Sequence, residues 1–225
     1  MTRRMNLDLS LYVIIDPEHL GGHNIATLAH GAVLGGATIL QYRSKNLSTR
    51  EQVRDVRILK SAISGRRVPL LVNDRVDVAL AAGADGVHLG RDDMDVGEAR
   101  RLMGPRAIIG QTVKSDVDAD ALSPAADYAC IGGVFATLSK NNPDAPLGLD
   151  GLKALRSRIA ARFADLPVGA IAGITDRTAA EVIAAGADGV AVISAVSSHA
   201  DAAEAARSLK AAVSGALARR GEDQA

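Results

Sequence analysis

Short apolar runs punctuate the chain at nearly regular intervals, near residues 9–16, 37–43, 69–74, 86–90, 107–113, 128–134, 167–173 and 189–196. They are rich in Val, Ile, Leu and Ala, which is how parallel strands covered on both faces read. Between them, apolar residues recur at helical spacing over 23–34, 48–64, 75–83, 94–103, 151–163, 177–185 and 201–219. The gap at 116–126 holds at most a short helix. One helix-to-strand joint is written twice, as "AAGADGV" at Ala81–Val87 and again at Ala184–Val190, with "LGGAT" at Leu34–Thr38 as a looser copy. Each places a Gly where a helix ends in a left-handed cap and starts the next strand directly.

Eight strands with helical crossovers predict a (β/α)8 TIM barrel, a fold of roughly 200 to 250 residues. The whole of 1–225 then forms a single domain, with its active site at the C-terminal ends of the strands. An open doubly wound sheet is the rival arrangement, and near-equal units favour closure. The longest irregular stretch, Ala136–Asp150, reads as a functional lid. Residues 219–225 read as a disordered tail.

Composition narrows the class. Hydrophobic residues make up 48% of the 225, yet aromatics are only 2% and Trp is absent, so the core is aliphatic. Lys plus Arg and Asp plus Glu are equal at 26 each, so no global field calls for nucleic acid or an anionic membrane. No apolar run approaches the roughly 18 residues of a membrane span, and the start of the chain lacks a secretory pattern. A single cysteine, Cys130, suits a reducing compartment and reads as a small buried hydrophobe. The expectation is a cytoplasmic enzyme acting on small molecules, with room left for a homo-oligomer.

The polar residues then cluster where a barrel does its chemistry. In "ATILQYRSK", Gln41, Arg43 and Lys45 fall at every second position of a strand end, so they share one face and form a polyanion clamp. The third strand ends in Asn73 and Asp74, and the fourth leads into "GRDD" with Asp92 and Asp93. Carboxylates at neighbouring strand ends, with no Cys or His beside them, suit Mg²⁺. His88, in mid-strand, reads as a satisfied core histidine. Thr112 and Lys114 end the fifth strand, and Thr137, Ser139 and Lys140 open the long loop. Gly173, Ile193 and Ser194 supply backbone amides after the last two strands, where such barrels hold a monophosphate. No nucleophile with its base stands out.

"QYRSK", "VNDRVDVAL", "ADGVHLGRDD", "FATLSK" and "ADGVAVISAV", in that order and spacing, resemble the thiamine phosphate synthase family over nearly the full chain. The resemblance implies a Mg²⁺-dependent transferase. It would join hydroxymethylpyrimidine diphosphate to thiazole phosphate, releasing pyrophosphate and forming thiamine phosphate. Gln41, Arg43, Lys45 and Asn73 would hold the diphosphate, and Asp74 and Asp93 the metal. Thr112 and Lys114 fall where the family has a Ser and a His. Thr137, Ser139 and Lys140 would serve the thiazole phosphate and the leaving pyrophosphate, with Arg43, Lys45 and Lys140 catalytic. Gly173, Ile193 and Ser194 would hold the thiazole phosphate.

Two departures touch the thiazole half. The family's Gly-Pro-x-Phe/Tyr-Pro-Thr reads "GGVFAT" here, and Ala172 replaces the first Gly of the strand 7 turn. A tautomerase-like isomerase on the same barrel is the enzymatic alternative, and it would need neither the clamp nor the metal pair. A non-catalytic thiamine-phosphate-binding paralogue would have little use for a leaving-group site.

Overall fold

The computed structural model describes residues 7–137 and 145–222. Eight parallel strands close in sequence order into a barrel. They are β1 (Leu11–Ile15), β2 (Ile39–Tyr42), β3 (Leu70–Asn73), β4 (Gly86–Leu89), β5 (Ile108–Val113), β6 (Tyr128–Ile131), β7 (Val168–Ile171) and β8 (Gly189–Val192). The helices are α1 (Ile25–Leu34), α2 (Thr49–Ala62), α3 (Val76–Ala82), α4 (Val96–Met103), α5 (Asp116–Asp120), α6 (Gly148–Arg162), α7 (Ala179–Ala184), α8 (Ser194–Ser197) and α9 (Ala202–Glu222). The barrel expected from the pattern is therefore the one observed.

The repeated joint behaves as its glycines require. Gly83, Gly186 and Gly36, one from each copy, have φ of 67°, 106° and 103°, which disfavours any residue with a Cβ. Within the strands, alternate residues serve two cores. Leu11, Val13, Ile15, Leu40, Tyr42, Leu70 and Val72 face the helices, while Tyr12, Ile14, Ile39, Leu71, Ile108, Tyr128, Cys130 and Ala191 fill the barrel. Both faces are covered, which is why the runs read as continuously apolar. Gly110 in β5 makes room for an interior aromatic: a Cβ there would meet the Tyr128 ring at 2.1 Å.

The elements differ from the pattern in a few places. The run at 189–196 is strand only to Val192, because α8 starts at Ser194. The C-terminal helix does not stop at 219. Arg219–Glu222 belong to α9, so the tail expected to be disordered is helical through Glu222. Arg220 explains the extension, donating to the carbonyls of Ile183 and Ala187 and to Asp188 Oδ1 at 2.8 Å. These bonds fasten the last turns of α9 to the joint between α7 and β8. The irregular stretch is also shorter than Ala136–Asp150, since α6 begins at Gly148.

Candidate active site at the barrel mouth

The alternation at the end of β2 sorts its side chains as a strand must. Tyr42 points into the helical layer and donates to Asp55 Oδ2 of α2 at 3.1 Å. Ser44 is buried and its Oγ accepts the Leu47 amide at 3.2 Å. Gln41, Arg43 and Lys45 take the opposite face. Gln41 lies inside the barrel, Arg43 bonds Asp16 at the end of β1, and Lys45 Nζ donates to Asp74 Oδ2 at 2.5 Å.

Asp74 owes its place to an unusual backbone. Its φ is 62°, left-handed for a residue with a side chain, and its amide donates to the His88 carbonyl at 2.9 Å. That turn aims the carboxylate across the mouth instead of capping α3. Asp93 is likewise no helix cap: Asp95 caps α4, while Asp93 Oδ2 accepts the Gly90 amide at 2.6 Å. Partial burial holds the Asp93 carboxyl above the usual carboxylate range, and the neighbouring Asp74 carboxylate pushes it further. Asp92 is exposed beside them.

Two carboxylates thus share one ammonium, an excess of negative charge that a divalent cation would relieve. Among the described residues no three His, Cys, Asp or Glu converge on a metal position. A cation at Asp74 and Asp93 would complete its shell with water and ligand oxygens, which suits Mg²⁺ and not a metal needing an all-protein cage. The donor set fits the expected ion.

Behind the charged rim runs a buried polar chain that sequence reasoning largely missed. Gln41 Nε2 donates to the Tyr12 hydroxyl at 2.5 Å, and the Tyr12 and Tyr128 hydroxyls are 2.9 Å apart. His88 bonds Tyr128 through Nδ1 at 2.9 Å and Thr112 Oγ1 through Nε2 at 2.8 Å. Burial pushes both phenols up, so they stay neutral. His88 is therefore the satisfied core histidine its position suggests, yet it also touches the site through Thr112. The pair has the spacing of a nucleophile and its base, an arrangement the sequence did not reveal. The neutral Tyr128 phenol bonds the imidazole at Nδ1, and this suits holding Thr112 better than ionising it.

Two tyrosines at alternate positions of apolar strands were the only signal, and their hydroxyls are invisible to a hydropathy pattern. Asp16 closes the first apolar run at the mouth, but the partner that gives it meaning, Arg43, lies 27 positions further along. Lys114 is exposed beside Gly132, and its backbone amide is fixed by Asp118 Oδ2 at 2.9 Å. Thr137 is the last described residue before 138–144, and Ser139 and Lys140 lie outside the described residues.

The β6 and β7 loops pack on each other. Val134 donates to the Ile171 carbonyl at 3.2 Å and Phe135 to the Ala172 carbonyl at 3.0 Å. Gly133 stands where the family pattern has its first Pro, and its φ of 80° is closed to proline. Ala172 sits at φ 97°, and the next residue, Gly173, at 64°. A Cβ on Gly173 would meet the Ala136 carbonyl at 2.4 Å, so Gly is required there. Ile193 and Ser194 open α8, where the first amides of a helix lack intrahelical acceptors.

Cations and a carboxylate pair on one side, with glycine-rich backbone on the other, define a phosphate-handling barrel enzyme. Known proteins agree. Residues 11–196 match the family model described as thiamine monophosphate synthase. A thiamine-phosphate synthase of Agrobacterium fabrum is 53% identical over 212 residues, spanning 94% of this chain and 96% of its own. One of Chloroflexus aurantiacus is 44% identical over 209 residues, spanning 92% and 94%. The solved thiamine phosphate pyrophosphorylase of Pyrococcus furiosus superposes with a TM-score of 0.80 at 38% identity, over 94% of this chain and 98% of that one. A 3-hexulose-6-phosphate synthase structure, at 20% identity and a TM-score of 0.63, shares the fold alone. The chain belongs to the thiamine monophosphate synthase family.

Proposed function

We propose that this chain joins 4-amino-2-methyl-5-hydroxymethylpyrimidine diphosphate to 4-methyl-5-(2-phosphooxyethyl)thiazole, giving thiamine phosphate and pyrophosphate in thiamine biosynthesis. The observation that carries the reading is Lys45 bonded to Asp74 of a two-carboxylate cation position, on the same strand-end face as Arg43. The thiazole nitrogen lone pair forms the new C–N bond, and the departing diphosphate takes the C–O electrons. That exchange needs no proton removed from a protein nucleophile. It needs charge stabilisation on the leaving group and a positioned acceptor.

Arg43 and Lys45 stabilise the diphosphate as it leaves, with Asn73 beside them and Lys140 as a further catalytic cation from the loop. Gln41, expected at the diphosphate, is buried inside the barrel and joined to Thr112 through Tyr12, Tyr128 and His88, where both would read the pyrimidine ring. Asp74 and Asp93 would hold Mg²⁺, which when bound neutralises phosphate charge. Gly173, Ile193 and Ser194 hold the thiazole phosphate, with Thr137, Ser139 and Lys114 at its edge. The single buried cysteine suits a cytoplasmic enzyme.

Purified protein incubated with both substrates and Mg²⁺ should release pyrophosphate and thiamine phosphate in equal amounts, and neither when one substrate is omitted. Pyrophosphate release that ignores the thiazole would make the protein a hydrolase and contradict the reading.

A further inference from the structure

The clamp cation Arg43 does not stand alone. β1 and β2 pair in register, Ile15 against Tyr42, and the Arg43 amide donates to the Ile15 carbonyl at 3.0 Å. The next residues along, Asp16 and Arg43, therefore emerge side by side at the mouth. Arg43 Nη1 bonds Asp16 Oδ2. The Asp16 side chain is 0% exposed and that of Arg43 12%.

Asp16 is itself immobilised. Its Oδ1 accepts the Glu18 amide at 3.0 Å, and its carbonyl accepts the His19 amide at 2.8 Å, closing a turn over Pro17. His19 Nδ1 stands 3.5 Å from the same Oδ2 that receives Arg43. A buried carboxylate with both oxygens engaged cannot follow a moving partner. The guanidinium must adopt the orientation Asp16 dictates.

We propose that Asp16 is a positioning residue, which holds the Arg43 guanidinium at Nη1 so that its other N–H groups meet the diphosphate. The proposal rests on the leaving-group role assigned to Arg43 above. A guanidinium is a planar fork, so holding one nitrogen narrows the directions in which the others can point. Arginine otherwise carries considerable rotamer freedom, which binding would have to suppress. Lys45, paired with the partly exposed Asp74, has no such rigid anchor and can swing between carboxylate and phosphate. The two cations thus divide the work, one preset and one mobile.

Charge alone argues for the opposite outcome. An anion beside a polyanion site repels the ligand, so deleting Asp16 would tighten binding if orientation did not matter. Calorimetric titration of the full chain with inorganic pyrophosphate and Mg²⁺ separates the two. Four proteins are compared: wild type, Asp16→Asn, Arg43→Ala and the double variant. Asp16→Asn should weaken pyrophosphate binding on the order of tenfold, the value of one well-placed charge-assisted hydrogen bond. In the Arg43→Ala background the same change should no longer weaken binding, because nothing remains to position.

A merely structural Asp16 would lower affinity by the same factor in both backgrounds, and tighter binding by Asp16→Asn alone would show that charge dominates. Either result overturns the proposal. Should Asp16→Asn fail to fold, Asp16→Glu carries the same comparison, since it keeps the charge but misplaces it by one methylene. Turnover assays on the same proteins separate this from the function itself. A wild type that makes no thiamine phosphate refutes the assigned reaction, whereas the pyrophosphate cycle refutes or supports only the role of Asp16.

Discussion

Lys45 reaches from the end of β2 to Asp74 at the end of β3, placing Nζ 2.5 Å from Oδ2. A cation expected to hold phosphate and a carboxylate expected to hold metal are thus paired with each other. Arrival of a metal–diphosphate complex would exchange this one contact for two, Lys45 to phosphate and Asp74 to the ion. The exposed pair contributes little to stability on its own, so the exchange costs little.

The carboxylate pair sets the metal requirement. Chelation with EDTA should abolish turnover, and added Mg²⁺ should restore it. Asp93→Ala should lower kcat by roughly 100-fold or more, the scale of losing one electrostatic element of a leaving-group site. Its melting temperature should stay near that of wild type. Full activity of this variant in metal-free buffer would remove Asp74 and Asp93 from the mechanism.

Ala172 occupies a backbone conformation that glycine adopts freely, at φ 97°. Ala172→Gly should relieve strain of about 1–3 kcal/mol, offset by the extra freedom of an unfolded glycine. The net gain, about 1 kcal/mol, should raise the melting temperature by roughly 2–4 °C for a chain of this size. If the Cβ also crowds the phosphate position, the thiazole KM should fall while the pyrimidine KM holds. A lower melting temperature would show that the turn has no strain to release.

Asp118 ties down the end of β5 that displays Thr112 and Lys114. Its Oδ2 accepts the Lys114 amide at 2.9 Å and the Ser115 hydroxyl at 3.0 Å, and its Oδ1 accepts Arg91 Nε at 2.7 Å. Burial alone would raise this carboxyl, but those donors outweigh it and hold it below the usual range. A depressed folded-state pKa means stability present above the unfolded value, near 4, and lost as pH falls through the folded one. Asp118→Asn should therefore cost about 1–3 kcal/mol at pH 7. The gap from wild type should close as pH drops below about 4. A gap that persists at low pH would place the loss in packing instead of charge.

The barrel was legible because the physics that builds it is local. "AAGADGV" announces a left-handed glycine, and Gly83 and Gly186 have it. The period of two at Gln41, Arg43 and Lys45 places them on one face, and the geometry agrees. Asp16, Tyr12 and Tyr128 were not singled out, because their importance lies in partners that are distant in sequence. Tyr12 and Tyr128 meet across 116 positions of chain. The extension of α9 to Glu222 was hidden for a similar reason: "RRGEDQA" looks like a tail until Arg220 finds Asp188, 32 positions earlier. Short-range pattern reveals elements and faces, whereas the buried polar contacts that join strands emerge only on closure.

In the proposed reaction, the face of β2 presented to the mouth carries the rate, through charge on the leaving group. The direct measurement is kcat/KM for pyrimidine diphosphate at saturating thiazole phosphate, for Arg43→Ala and Ser44→Ala side by side. Loss of one charge-assisted donor to a departing pyrophosphate should cost about 2–4 kcal/mol of transition-state stabilisation, or roughly 30- to 1000-fold in rate. Arg43→Ala should fall in that range. Ser44, buried on the helical side with its Oγ on the Leu47 amide, should tolerate Ala within a few-fold. A Ser44→Ala variant as impaired as Arg43→Ala, or an Arg43→Ala variant as active as wild type, would contradict the leaving-group clamp.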